Sequence, residues 1–107
     1  MQRIIGLSFL LLLTLSAGAQ IVLEPAAQRG LTLARTYCAR CHSIDRVTAS
    51  PLAIAPPFRT LHKKYPVENL EEALAEGIST GHPTMPEFRF DPGQAADLIS
   101  YLKTLER

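Results

Sequence analysis

The chain contains no tryptophan, only two cysteines and two methionines, and almost no excess of charge, with eleven Lys plus Arg against ten Asp plus Glu in 107 residues. Two cysteines exclude a disulfide-rich scaffold, which needs several bridges to stand in for a core. The near-neutral balance excludes the clustered basic face of a nucleic-acid binder. Long apolar runs are also scarce: the one present, Ile4 to Leu15, falls well short of the ~20 residues a membrane-spanning helix needs. No segment alternates apolar and polar residues in the manner of a strand, and no internal repeat is present.

The apolar run has a different reading. Arg3 supplies a positive start, Ile4 to Leu15 form the apolar centre, and Ser16-Ala17-Gly18-Ala19 ends in the small-x-small pattern of a signal-peptidase site. Residues 1–19 are therefore expected to be a signal peptide, and 20–107 a single mature domain without a membrane span. Loss of Arg3 leaves ten Lys plus Arg against ten Asp plus Glu in that domain. Its 88 residues lie at the small end for a chain that must build its own core.

The chemistry concentrates in Cys38-Ala39-Arg40-Cys41-His42. CxxCH is the pattern of covalent attachment of a c-type haem. Each thiol adds across one vinyl group to give a thioether, the two-residue gap sets the cysteines about one helical turn apart, and His42 is held where an imidazole nitrogen ligates the iron. Three rival readings use the same residues. A thioredoxin-like dithiol expects a βαβ setting that the helical flanks do not supply. Structural zinc needs four protein ligands, and only the distant His62 or His82 could complete the set. A plain disulfide gives His42 no role and closes too small a loop to stabilise much.

The mature segment reads as all-α. A first helix opens at Glu24-Pro25, with proline at the first helical position, and runs into the CxxCH; Ala27, Gly30, Leu31, Ala34, Tyr37 and Cys38 share one face. A middle helix is expected from about Pro66, with Val67, Leu70, Ala73 and Leu74 inward, Glu68, Glu71, Glu72 and Glu76 outward, and Gly77 ending it. The last has the clearest start: Asp91 as N-cap, Pro92 at N1 and Gln94 at N3, followed by Ala95, Leu98, Ile99, Leu102 and Leu105 on one face with Tyr101 beside it. Thr48 to Phe58, rich in proline, is expected to be loop.

An iron held by His42 needs a second axial partner or an open position. The candidates are His62, His82, Met85 and the lysines at 63, 64 and 103. Once Met1 leaves with the signal peptide, Met85 is the only methionine. A lone methionine is usually flexible core filler. Here Pro83-Thr84-Met85-Pro86 is stiffened by two prolines, so the sulfur is presented from a pre-set backbone and little entropy is lost on ligation. Met85 is thus preferred, with His82 in the same loop as its competitor and His62 read as part of an exposed basic stretch.

With these elements in this order, the chain resembles the small class I bacterial cytochromes c, monohaem proteins with His/Met ligation, over essentially the whole mature domain. The resemblance implies a cytochrome c-like fold of three main helices and loops wrapped around one covalent haem c. In that family a glycine eight residues before the first haem cysteine packs against an aromatic residue of the last helix; Gly30 and Tyr101 fit those positions, and Leu98 joins the same crossing. A proline after the CxxCH offers its carbonyl to the other ring N–H of the histidine. Ala55-Pro56-Pro57-Phe58 matches that segment, with alanine where glycine is usual; Pro56 is the expected partner and Pro57 the alternative. Lacking the tryptophan that some members place beside a propionate, the chain offers Arg59 or Tyr65. Haem attachment in the family takes place on translocated apoprotein, so the signal segment and the CxxCH imply each other.

The function so implied is not enzymatic. It is that of a monomeric one-electron carrier between redox partner proteins outside the cytoplasm, in the periplasm, with no nucleic acid involved. Two other functions stay open: an electron-transfer subunit of a periplasmic dehydrogenase or oxidase complex, which would co-purify with a larger catalytic subunit, and a gas- or peroxide-reactive haem protein, which would bind carbon monoxide when reduced.

Overall fold

The structure, a computed structural model, describes residues 22–78 and 84–107, together with residues 2, 6 and 12. The boundary expected after Ala19 and the candidate ligand His82 lie outside the described residues. The elements run α1 (Pro25–Tyr37), a short 3-10 helix (Phe58–Lys63), α2 (Asn69–Glu76) and α3 (Pro92–Thr104), with no strand among the described residues. The fold is therefore helical, with three α-helices as expected and a 3-10 turn in addition.

Helix α1 begins with Pro25 at its first position, where the fixed φ suits a helix and the missing N–H costs nothing. Its buried residues are Ala27, Gly30 and Ala34, all small. That stripe lets α3 approach closely: a Cβ built on Gly30 would stand 2.0 Å from the Asp97 carbonyl oxygen and 2.8 Å from the Tyr101 Cβ. Gly30 and Tyr101 thus meet as the family resemblance implies, and an Arg29–Asp97 ion pair of 2.8 Å flanks the crossing. Helix α3 opens with a capping box in which the Asp91 N–H donates to the Gln94 side-chain oxygen at 3.2 Å. It buries Ala95, Leu98, Ile99, Tyr101 and Leu102.

Two elements differ from the expectation. The middle α-helix starts at Asn69 rather than at Pro66, because the preceding residues form a tighter turn: the N–H groups of Asn69, Leu70 and Glu71 donate to the carbonyls of Pro66, Val67 and Glu68, three residues back. Val67 in that turn is nonetheless 1 % exposed. Gly77 ends α2 with φ of +114°, a backbone conformation that side chains other than glycine's resist. The second difference is the 3-10 helix, which carries Phe58 and Leu61 into the core immediately after the two prolines.

The core joins these pieces: Ala34 from α1, Phe58 and Leu61 from the 3-10 helix, Leu74 from α2, and Phe90, Leu98 and Leu102 around α3. Tyr101 adds a polar tie, its hydroxyl donating to the Ile44 carbonyl in the loop that follows the CxxCH.

Candidate functional site

Helix α1 stops at the cysteine pair. Cys38 caps it, its N–H donating to the Ala34 carbonyl at 2.9 Å, and the N–H groups of Cys41 and His42 both return to the Cys38 carbonyl, at 3.2 and 2.9 Å. The result is a tight turn that sets both cysteines and His42 on the lining of one cleft. Both thiols are free. Burial pushes the Cys38 thiol up to about 11, because the apolar surroundings penalise its thiolate. A neutral thioether at that sulfur would carry no such penalty.

The imidazole of His42 is oriented from behind. Its Nδ1 lies 2.8 Å from the Pro56 carbonyl oxygen. A carbonyl can only accept, so Nδ1 carries the proton and the lone pair is left on Nε2, the tautomer an axial ligand requires. The partner is Pro56 rather than Pro57. The Phe58 ring packs on the imidazole with centroids 4.9 Å apart.

Loop residues 43–59 are fixed by their own hydrogen bonds. The Asp45 carboxylate accepts from the N–H groups of Val47 and Thr48, at 2.8 and 2.7 Å, and from the Thr48 hydroxyl at 2.7 Å. These bonds, led by the Thr48 hydroxyl, stabilise the carboxylate and hold its pKa down to about 2. The Arg59 guanidinium donates to the Ser43 hydroxyl and the Thr48 carbonyl, at 3.1 and 2.8 Å. Phe58 N–H donates to the Ser43 carbonyl at 2.9 Å, and Leu52 N–H to that of Cys41 at 3.1 Å. The segment carrying Pro56 is thereby tied on both sides of His42.

Met85 reaches the cleft from the other arm of the chain, between Thr84 and Pro86, and all three line it. That arm is anchored to α2 by the Phe90 N–H, which donates to the Leu74 carbonyl at 2.9 Å. The remaining candidate ligands that can be described lie elsewhere: His62 is in the 3-10 helix, Lys63 and Lys64 are exposed around its end, and Lys103 is exposed and paired with Glu68. Tyr65 lines the cleft, and burial raises the pKa of its hydroxyl. Arg59, the other candidate for a propionate, has one guanidinium nitrogen committed to the loop.

Most of the remaining lining is hydrocarbon: Phe58, Leu61, Leu74, Phe90, Leu98 and Leu102 each present one side to the core and another to the cleft. The cavity is about 270 Å³ and opens to solvent at its mouth. Such a cleft fits a large flat apolar group, and two thiols one turn apart beside an oriented imidazole fit its covalent attachment. No group of three or more His, Cys, Asp or Glu side chains placed to hold a bare metal ion occurs among the described residues.

A helical shell around an apolar cleft with this donor set defines a haem protein of the covalent type. The family model for cytochrome c matches residues 27–106, and the chain belongs to that family. Among curated proteins it is 28% identical over 95 residues to a cytochrome c-552 of Bradyrhizobium diazoefficiens, covering 89% of each chain. It is 29% identical over 85 residues to a cytochrome c-553-like protein of Synechocystis sp., covering 79% of this chain and 74% of that one. No solved structure matches. The protein is thus a small monohaem c-type cytochrome whose cofactor is one covalent haem c, and its relatives support an electron-carrying function. No helix among the described residues is long and apolar enough to cross a membrane.

Sequence reasoning missed the aromatic side of the cleft. Tyr37, which its spacing places on one face of α1 with Ala34 and Cys38, lines the cleft, and its ring meets Phe88 and Phe90 edge-on, at 5.9 and 5.4 Å. The only available signal was compositional: three of the chain's seven Phe and Tyr residues fall beside the cysteine pair or just after Met85.

Proposed function

We propose that this protein is an exported one-electron carrier, non-enzymatic and monomeric, working between redox partner proteins in the periplasm after removal of residues 1–19. Cys38 and Cys41 hold haem c through thioethers, and His42 and Met85 are its axial ligands. When bound, the haem supplies a single ferric/ferrous couple. The observation that carries the proposal is the gathering of Cys38, Cys41, His42 and Met85 on one apolar cleft, with His42 turned by Pro56 to offer Nε2. Two protein ligands leave no open position for substrate, which suits outer-sphere transfer. The Pro56 carbonyl keeps the imidazole oriented. The thioether of Met85 and the water-excluding side chains around it favour the reduced state and so a relatively high potential.

The oxidised holoprotein is expected to show the weak far-red sulfur-to-iron charge-transfer band. Met85→Ala should abolish it while the haem stays covalently attached. The reduced wild type should not bind carbon monoxide at neutral pH, whereas the variant should. A band that persists in Met85→Ala would remove Met85 from the site, and carbon monoxide binding by the wild type would favour a gas-reactive protein instead.

A further inference from the structure

The segments carrying the two proposed axial ligands are far apart in sequence, and what joins them across the cleft is aromatic. Tyr37 is the last residue of α1, immediately before Cys38 and five before His42. Phe88 lies three residues after Met85. The Tyr37 ring stands edge-on to Phe88 at 5.9 Å and to Phe90 at 5.4 Å, and Phe88 and Phe90 stack on each other at 5.6 Å with 11° between their planes. All three rings line the cleft. Phe90 is buried and bonded through its N–H to the end of α2. Phe88 is only half-buried and meets Tyr37 at the end of α1.

We propose that Tyr37 is a positioning residue for Met85, its ring clamping the Met85-bearing segment to the helix end that carries the cysteine pair. The inference rests on Met85 being an axial ligand. The mechanical case comes from what each side is fastened to. Hydrogen bonds from Cys38, Cys41 and His42 make the end of α1 one rigid turn. On the other side, Pro86 stiffens the chain next to Met85, so a displacement of Phe88 is passed along it rather than absorbed. Edge-to-face pairs have a preferred geometry and not merely an apolar area, which allows them to hold a register. The α1–α3 crossing at Gly30, Asp97 and Tyr101 is made without the Tyr37 ring, so loss of that ring should affect the fold less than the segment it contacts.

The test is competition for the iron of the full ferric holoprotein by added imidazole, followed by loss of the far-red band, with guanidinium unfolding measured alongside. Tyr37→Leu, which keeps apolar bulk but removes the ring edge, should bind imidazole on the order of tenfold more tightly than wild type, the size of effect that two aromatic contacts carry. Its unfolding midpoint should move little. Tyr37→Phe should behave as wild type, and Phe88→Leu should loosen Met85 in the same direction as Tyr37→Leu. Unchanged imidazole affinity in Tyr37→Leu and Phe88→Leu overturns the clamp while leaving Met85 as ligand. Equal losses in unfolding free energy and in resistance to imidazole reduce Tyr37 to packing and also overturn it. A wild type with no far-red band removes the Met85 reading itself, and the clamp with it.

Discussion

Gly30 of α1 packs against the backbone of Asp97 in α3 so closely that a Cβ on Gly30 would meet the Asp97 carbonyl oxygen at 2.0 Å and its carbon at 2.7 Å. The obstacle is helix backbone, which cannot turn aside as the end of a flexible side chain could. Gly30→Ala must therefore push the two helices apart along a contact that also holds Ala27, Ala34 and Tyr101. Overpacking of this kind costs about 1–3 kcal/mol. Guanidinium unfolding of the haem-loaded variant should show a lower midpoint with an unchanged slope. The exposed Arg29–Asp97 ion pair beside it should matter far less, so Arg29→Ala should leave the midpoint close to wild type. A Gly30→Ala protein as stable as wild type would mean that the crossing is looser than its geometry indicates.

How much of this could be read from residues alone depended on whether the signal was local. Helix α3 is readable because Asp91, Pro92 and Gln94 announce its start and the apolar spacing continues for about three turns. The turn around CxxCH was readable because its chemistry fixes its spacing. The 3-10 helix was not: Phe58 and Leu61 repeat every three residues over too short a stretch to resemble an amphipathic α-helix, and the prolines before them read as loop. For the acceptor to His42 the family resemblance favours Pro56 but leaves Pro57 open, since a backbone carbonyl is present at both and only the path of loop 43–59 selects one. The partners of Tyr37, Phe88 and Phe90, leave no local signal in the sequence because they lie some fifty residues away.

Asp45 gives the loop a dependence on acid. Its carboxylate is held from the ordinary 3.8 down to about 2, first by the Thr48 hydroxyl, then by the N–H groups of Thr48 and Val47, with a smaller contribution from Arg59. A group whose folded pKa is depressed contributes stability that is present above its unfolded pKa and is lost as pH falls towards the folded one. Wild type should thus exceed Asp45→Asn in stability at pH 6, and the gap should narrow between about pH 4 and pH 2. Asp97 and Glu68 are also depressed, by Arg29 and Lys103, but both proteins share them and their effect cancels in the difference. Urea unfolding of the two proteins across that range provides the measurement. A gap that stays constant down to pH 2 would show that the Asp45 charge does not hold the loop.

The cleft implies that the fold depends on what fills it. Phe58, Leu61, Leu74, Phe90, Leu98 and Leu102 belong both to the core and to the cleft lining. With haem bound, these side chains are covered on both sides; without it, the side facing the cleft is returned to water or the walls must collapse inward. The two arms have separate anchors, the hydrogen-bonded loop 43–59 on one and the Phe90–Leu74 backbone bond on the other. So short a domain has little stability in reserve to offset exposure of that area. A Cys38→Ala/Cys41→Ala chain produced without haem should lose most of its helical circular dichroism and melt without a cooperative transition, with any residual helix confined to the α1–α3 crossing, whose small-residue contact does not involve the cleft. The haem-loaded protein should unfold in one cooperative step. A cooperative, native-like transition in the haem-free chain would mean that the helices close on one another unaided, and that haem occupies the core without being needed to form it.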